Sequence, residues 1–315
     1  MPNREKANRI SNCLELAMLL EVTTSKPGNV TPTASFEGTR IEHFLASAVA
    51  SNSSFEKAAQ RGIAVSENKL NVREVGIGKI IKKCAMDINA WQTGGNTLLG
   101  TVMLLVPIAV AAGMTPTGQN FNFDLKRLRE NLRLAVESTT AEDAVNLYEA
   151  IDVAKPSGLG DAPDLDVTDP ASKKRLLEDD VSLFEVFKLA ASYDDICSEW
   201  VRNYPITFDL AYPYLMSQLE RGDLNVAVVH TFLKILSQYP DTFIARKTSV
   251  EKAREVSLEA KKVLELGGLE TEAGRKGISE LDGRLRASGN TLNPGTTADL
   301  TAAALALCTL SGYRP

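Results

Sequence analysis

The chain is poor in the residues that most often build metal and redox sites. It has two histidines, His43 in "RIEHFLAS" and His230 in "VAVVHTFLK", and they are not at metal-ligand spacing. Its four cysteines, Cys13, Cys84, Cys197 and Cys308, are scattered without a C-x-x-C partner, so they read as reduced core thiols. No Walker loop, dinucleotide fingerprint or serine-histidine triad is present. An excess of positive charge is missing as well. The net charge is −5, which argues against a nucleic-acid partner, and "KRLRENLR" (126–133) reads as a solvated helix face.

Long apolar runs are also lacking. No charged residue occurs between Asp87 and Asp124, but the apolar part (98–112) falls short of the ~20 residues that span a bilayer. It reads instead as a central buried helix bent by Pro107. No apolar region follows the polar start "MPNREKANRIS", so no secretory signal is expected and the cytoplasm is the default location.

Period-two runs of Val, Ile and Thr are scarce, and the helix period dominates. Cys13, Leu14, Ala17 and Met18 share one apolar face, and similar patterns recur to the C-terminus, among them 72–91, 173–190, 208–219 and 296–311. Thr139 or Thr140, followed by Glu142 or Asp143, is a capping-box pattern that opens a helix. The expected fold is all-α, a single multi-helix domain over residues 1–315. The segment 154–172, rich in Pro, Gly and Asp, is expected to be a long loop crossing one face of that domain.

Several turns with small polar residues lie before or between helices: "TTSKPGNV" (23–30), "QTGGNTLLG" (92–100), "PSGLGD" (156–161) and "NPGTTAD" (293–299). Taken singly, each is an ordinary turn, and Thr296 or Thr297 is a natural helix cap. Taken together, they would set Lys26, Asn29, Asn96, Thr97 and Thr296 beside free helix N-termini, where a polyphosphate could be gripped from several sides. The carboxylates of Asp194, Asp195, Asp209 and Asp241 are candidates for Mg²⁺ bound to such phosphates, with helix capping as the competing reading for Asp209 and Asp241. His230 sits in an apolar helix and reads as a core or interface residue. Glu42 and His43 lie in a polar segment where either reading stands.

Four stretches in order, "SKPGNV" (25–30), "GGNTLLG" (94–100), "DTFIARK" (241–247) and "NPGTTADLTAAALAL" (293–307), resemble the motifs of the triphosphoribosyl-dephospho-CoA synthase family. The resemblance spans nearly the whole chain and implies an all-α transferase. Such an enzyme joins the anomeric carbon of the ATP ribose to a hydroxyl of dephospho-CoA or a related acceptor, expels adenine and leaves the triphosphate on the ribose. Departures are visible: Leu98 stands where the family motif carries a histidine, and "SFEGTRIEHFLASA" replaces a "GAHxDM"-like segment. The chain therefore resembles a divergent branch.

On that resemblance Lys26, Gly28, Asn29, Gly95, Asn96, Thr97, Arg246, Lys247, Asn293, Gly295, Thr296 and Thr297 are expected at the nucleotide and its phosphates. Asp241 would stabilise the oxocarbenium-like centre or bind metal, and Asp194, Asp195 and Asp209 are the other metal candidates. Glu42 or His43 would deprotonate the acceptor hydroxyl. ATP is the expected substrate with Mg²⁺, and a homodimer stays open beside the monomer. A nucleotide hydrolase using water as acceptor and a non-catalytic nucleotide-binding regulator are the alternatives.

Overall fold

Local capping sets most helix boundaries in the computed structural model, which describes residues 3–118, 121–159 and 164–315. Helices α1 (Asn3–Thr23), α2 (Ile41–Ser66), α3 (Ile77–Trp91) and α4 (Leu99–Met114) come first. The sequence pattern over 72–91 is broken because Gly76, at φ 68°, turns the chain between a 3-10 turn and α3. Helices α5 (Leu125–Glu137) and α6 (Ala141–Ala154) follow, and the expected capping box at the start of α6 is formed by Thr140 and Asp143. The pattern over 173–190 also divides, into α7 (Pro170–Glu178) and α8 (Leu183–Ala190). Asp180 takes a left-handed φ of 51° there, and Ser182 with Glu185 forms a new capping box.

Helix α9 (Asp195–Val201) comes next. After it the chain turns through Asn203 and Tyr204, both left-handed, and the buried Glu199 accepts the N–H groups of Ile206 and Thr207. A wide π turn (Ile206–Ala211) leads into α10 (Tyr212–Leu219), and Tyr212 reaches back five residues to the Thr207 carbonyl. Pro213 has no N–H with which to continue the α ladder at that point, which favours the wider turn. The remaining helices are α11 (Leu224–Gln238), α12 (Thr242–Lys247), α13 (Val250–Glu265), α14 (Glu272–Ala287) and α15 (Gly295–Leu310). Among the described residues there is no strand, only isolated bridges such as that between Thr31 and Ala34.

The expected buried helix is α4, with Val102, Leu104, Leu105 and Val106 fully enclosed. It packs on α1, α2, α3, α5 and α15, and α15 is buried almost as completely. Glycines bring α2 and α4 together: a Cβ on Gly62 would lie 2.0 Å from the Val110 carbonyl oxygen, and one on Gly113 would lie 2.3 Å from that of Ala59. A second, smaller core joins α11 to α13 and α14 through Phe232, Val256 and Leu281, while Val228 and Ile235 of α11 belong to the larger one. The four cysteines are buried and unpaired. No described helix is long and apolar enough to cross a membrane.

Candidate active site

A cavity of about 450 Å³ opens where the C-terminal end of α1, the turn before α4, and the N-terminal end of α15 converge. Helices α6 and α8 form its apolar side through Leu147, Ile151, Val186 and Leu189. Its polar side carries Glu21, Asn29, Asn96, Thr97, Arg246, Asn293, Gly295, Thr296 and Asp299. Four stretches far apart in the chain thus meet at one wall. Their expected residues do not all point into the cavity.

The first turn of α15 carries no side-chain cap of its own, because the helix starts at Gly295 and Pro294 occupies the capping position. Thr296 and Thr297 are therefore inside the helix, which removes the competing reading of either as its cap. Thr297 gives both its N–H and its hydroxyl to Asp241 Oδ2, each at 2.7 Å, whereas Thr296 reaches the cavity. Asp241 is only 1% exposed, and its other oxygen accepts from Phe243 and Ile244 at the start of α12. Burial pushes its carboxyl above the usual range, against the pull of the Thr297 and Ile244 donors and of Arg246. Asp241 is thus a cap and a bridge behind the wall, outside the cavity lining.

Other expected contacts are also committed elsewhere. Lys26, 2% exposed, gives its ammonium to the carbonyls of Glu21 and Thr24 and to the Glu21 carboxylate at 3.0 Å. Those three acceptors match the three protons of an ammonium, so Lys26 neutralises Glu21 and closes the turn after α1 instead of meeting a phosphate. The Gly28 N–H goes to Asp282, and the Asn29 carbonyl accepts from Arg286, so α14 pins this loop. Lys247 donates to the Asn290 carbonyl and lies over the Phe243 ring. Gly95 lies beside the cavity, in a much smaller depression that shares Asn96 with it.

His43 Nδ1 accepts the Arg40 N–H at the start of α2, and the imidazole lies against Gly94. Glu42 is exposed beside Arg40. Neither lines the cavity. Thr97, in contrast, faces the cavity and is steadied by Ser47 at 2.8 Å. Asn96 accepts the Leu99 N–H, which helps to start α4. Buried His230 bonds Gln218 and the Leu269 N–H, a core position as expected.

Arg246 lines the cavity, pairs with Asp194 and donates to the Gly158 carbonyl at 3.2 Å. Gly158 belongs to the "PSGLGD" turn, whose Gly160 and Asp161 lie outside the described residues. Asp194 also caps α9, and Asp195 beside it is pushed up to about 7 by burial and by the charges of Asp194 and Asp241. Asp209 is far from this group in role as well as in burial. It is exposed in the π turn and takes a two-pronged ion pair from Arg129, at 2.5 and 2.8 Å. No described group of three or more His, Cys, Asp and Glu residues is arranged to hold a metal ion.

Among the acids lining the cavity that sequence reading missed are Glu21 and Asp299, beside Asp164 and Asp166. Asp299 accepts the Thr101 hydroxyl and backbone N–H at the N-terminal end of α4. Burial, together with the charges of Glu21 and Asp241, pushes its carboxyl up to about 8. A Cβ on Gly100 would lie 2.1 Å from Asp299 Oδ2, so the glycine is required by this close approach. A signal was present: Asp299 is three and four residues after Thr296 and Gly295, on the same helix face.

Fold and cavity together define an all-helical protein whose candidate site is lined by loops and helix ends. Residues 7–315 match the model of the CitG family, ATP:dephospho-CoA triphosphoribosyl transferase, and the chain belongs to this family. A crystal structure of a proposed triphosphoribosyl-dephospho-CoA synthase from Archaeoglobus fulgidus is similar, at 25% identity and a TM-score of 0.63, over 87% of this chain and 100% of that one. None of the curated proteins compared matches the chain. The activity is that of a triphosphoribosyl-dephospho-CoA synthase, a transferase with ATP as donor, and nothing favours a hydrolase or a regulator.

Proposed function

We propose that ATP lies in this cavity with its triphosphate against Arg246, Asn96, Thr97 and the first turn of α15. The observation that carries this reading is that these donors, from distant parts of the chain, share one wall. Arg246 supplies a fixed cation, and the Thr296 end of α15 supplies the positive end of a helix dipole. The triphosphate is not cleaved in this reaction, so the wall has only to hold it. The apolar side formed by α6 and α8 suits a purine ring or the uncharged part of the acceptor.

In the reaction the acceptor hydroxyl oxygen forms a bond to the anomeric carbon of the ribose. The bond from that carbon to adenine breaks, and its electron pair leaves with the base. Magnesium enters as the counter-ion of ATP, since Asp194 and Asp209 are already engaged by Arg246 and Arg129. Asp241 works as a positioning residue: it ties α12, which carries Arg246, to the first turn of α15. His43 holds a similar place behind Gly94. ATP as donor and four unpaired thiols support a cytoplasmic setting.

Incubation with ATP, Mg²⁺ and dephospho-CoA tests the proposal. Free adenine is expected in equal amount to a product with the combined mass of both substrates less adenine. Release of ADP or AMP would contradict it, and adenine without the coupled product would mean that water is the acceptor. Calorimetry adds the binding arm: affinity should fall from ATP to AMP to adenosine, and equal affinity would remove the triphosphate from the Arg246 wall.

A further inference from the structure

We propose that Asp299 is the general acid of this transfer, giving its proton to the adenine ring as the bond to the anomeric carbon breaks, while Glu21 accepts the proton of the acceptor hydroxyl. This rests on the placement of ATP in the cavity argued above. Both carboxyls line the same wall, brought together from opposite ends of the chain by the packing of α1 on α15. Adenine is a poor leaving group as an anion, and a proton on the ring as it departs turns it into a neutral one. The wall must hold one acid that keeps its proton at neutral pH and one base that has lost it.

Burial raises both carboxyls, and the charge each one faces sets them apart. Burial raises the Glu21 carboxyl above its ordinary range, and the Lys26 ammonium at 3.0 Å pulls the other way, toward the ionised form. Asp299 is fixed by Thr101, and the two charges that act on it most, Glu21 and Asp241, are both acidic. Arg246, on the same wall, pairs with Asp194 and is not among the charges that act most on Asp299. Burial and these charges push the Asp299 carboxyl up to about 8, which favours its protonated form at neutral pH. Atoms balance over the cycle. Adenine gains the proton of Asp299, the acceptor hydroxyl gives its proton to Glu21, and transfer from Glu21 to Asp299 restores both groups. Gly100 and Thr101 hold the acid rigidly, as a proton donor needs.

The competing role for Asp299 is that of a cap for α4 alone. Asp299→Asn retains an oxygen for Thr101 and removes the acidic proton. Expected are a fall in kcat for adenine release of roughly 10²–10⁴-fold, a calorimetric ATP affinity within a few-fold of wild type, and loss of the alkaline limb of the kcat profile. Wild-type kcat in the variant, or a loss of ATP binding that accounts for the whole defect, would overturn the proposal. The wild-type enzyme supplies a test that needs no variant. Its kcat should fall about tenfold per pH unit above the Asp299 transition, and a flat profile to pH 10 would overturn the assignment. If wild-type enzyme releases no adenine at all, it is the placement of ATP that fails. If it does and Asp299→Asn matches it, only the acid assignment fails.

Discussion

Asp241 and Thr297, 56 residues apart in sequence, are joined twice: one carboxylate oxygen accepts both the backbone N–H and the hydroxyl of the threonine at 2.7 Å. The other oxygen caps α12. One buried acid therefore fixes the helix that carries Arg246 against the helix that carries Thr296 and Asp299. Its tolerance to substitution follows from counting donors.

Asparagine caps a helix about as well as aspartate, but here it has one acceptor oxygen for donors arriving on two sides. Asp241→Asn turns an amide N–H₂ toward N–H or O–H donors and is expected to cost about 1–3 kcal/mol in urea unfolding. The same change at exposed Asp209 should cost less than about 1 kcal/mol. Equal midpoints for the two variants would show that the Thr297 bridge contributes nothing.

Arg246 is the cation proposed for the triphosphate. Arg246→Ala removes charge-assisted hydrogen bonds worth about 1.5–3 kcal/mol, so ATP binding should weaken roughly 10- to 100-fold. Adenosine, which has no phosphate, should bind as it does to wild type. Calorimetry with both ligands checks this, and parallel losses would mean a collapsed cavity instead of a missing phosphate contact.

Gly62 allows α2 to touch α4. Gly62→Ala drives a methyl group into the Val110 carbonyl and is expected to destabilise the fold by about 1–3 kcal/mol. Gly283, in α14, offers the opposite case, because a Cβ there meets no atom within 4 Å. Gly283→Ala should stabilise by up to about 1 kcal/mol through helix propensity. Thermal midpoints that move the same way would refute the close-packing argument.

His230 makes a pH-dependent contribution whose sign is set by its partners. Nε2 accepts the Leu269 N–H at 2.9 Å, so it carries no proton, and Nδ1 donates to Gln218 Oε1 at 3.0 Å. Burial lowers its pKa below the ordinary 6.5, so the unfolded chain takes up a proton more readily than the folded one. The stability that neutral His230 contributes is present above about pH 6.5 and is lost as pH falls from there through the lower folded value. Buried Glu199 and Asp195, pushed up to about 7, act in the opposite direction by losing protons in the fold as pH rises. The His230 part is therefore read as the difference between wild type and His230→Gln in urea unfolding between pH 5 and 8. A difference independent of pH would show that His230 does not titrate with folding.

The all-helical architecture, the buried α4 and the capping box at Thr140 and Asp143 were legible in the sequence, because helix periodicity and capping depend on residues within a few positions of one another. For the same reason the glycine turns identified the loops that form the cavity wall. The orientation of each side chain needed the tertiary structure. Lys26 has the look of a phosphate ligand until Glu21 and two carbonyls take its protons, and Asp241 is held by Thr297 from a different helix. Asp299 sits within a quoted motif, yet its raised pKa comes from burial and from acids on other segments. Burial, desolvation and the assignment of donors to acceptors are properties of the packed chain. They decide which polar groups remain for a ligand, and no local pattern encodes them.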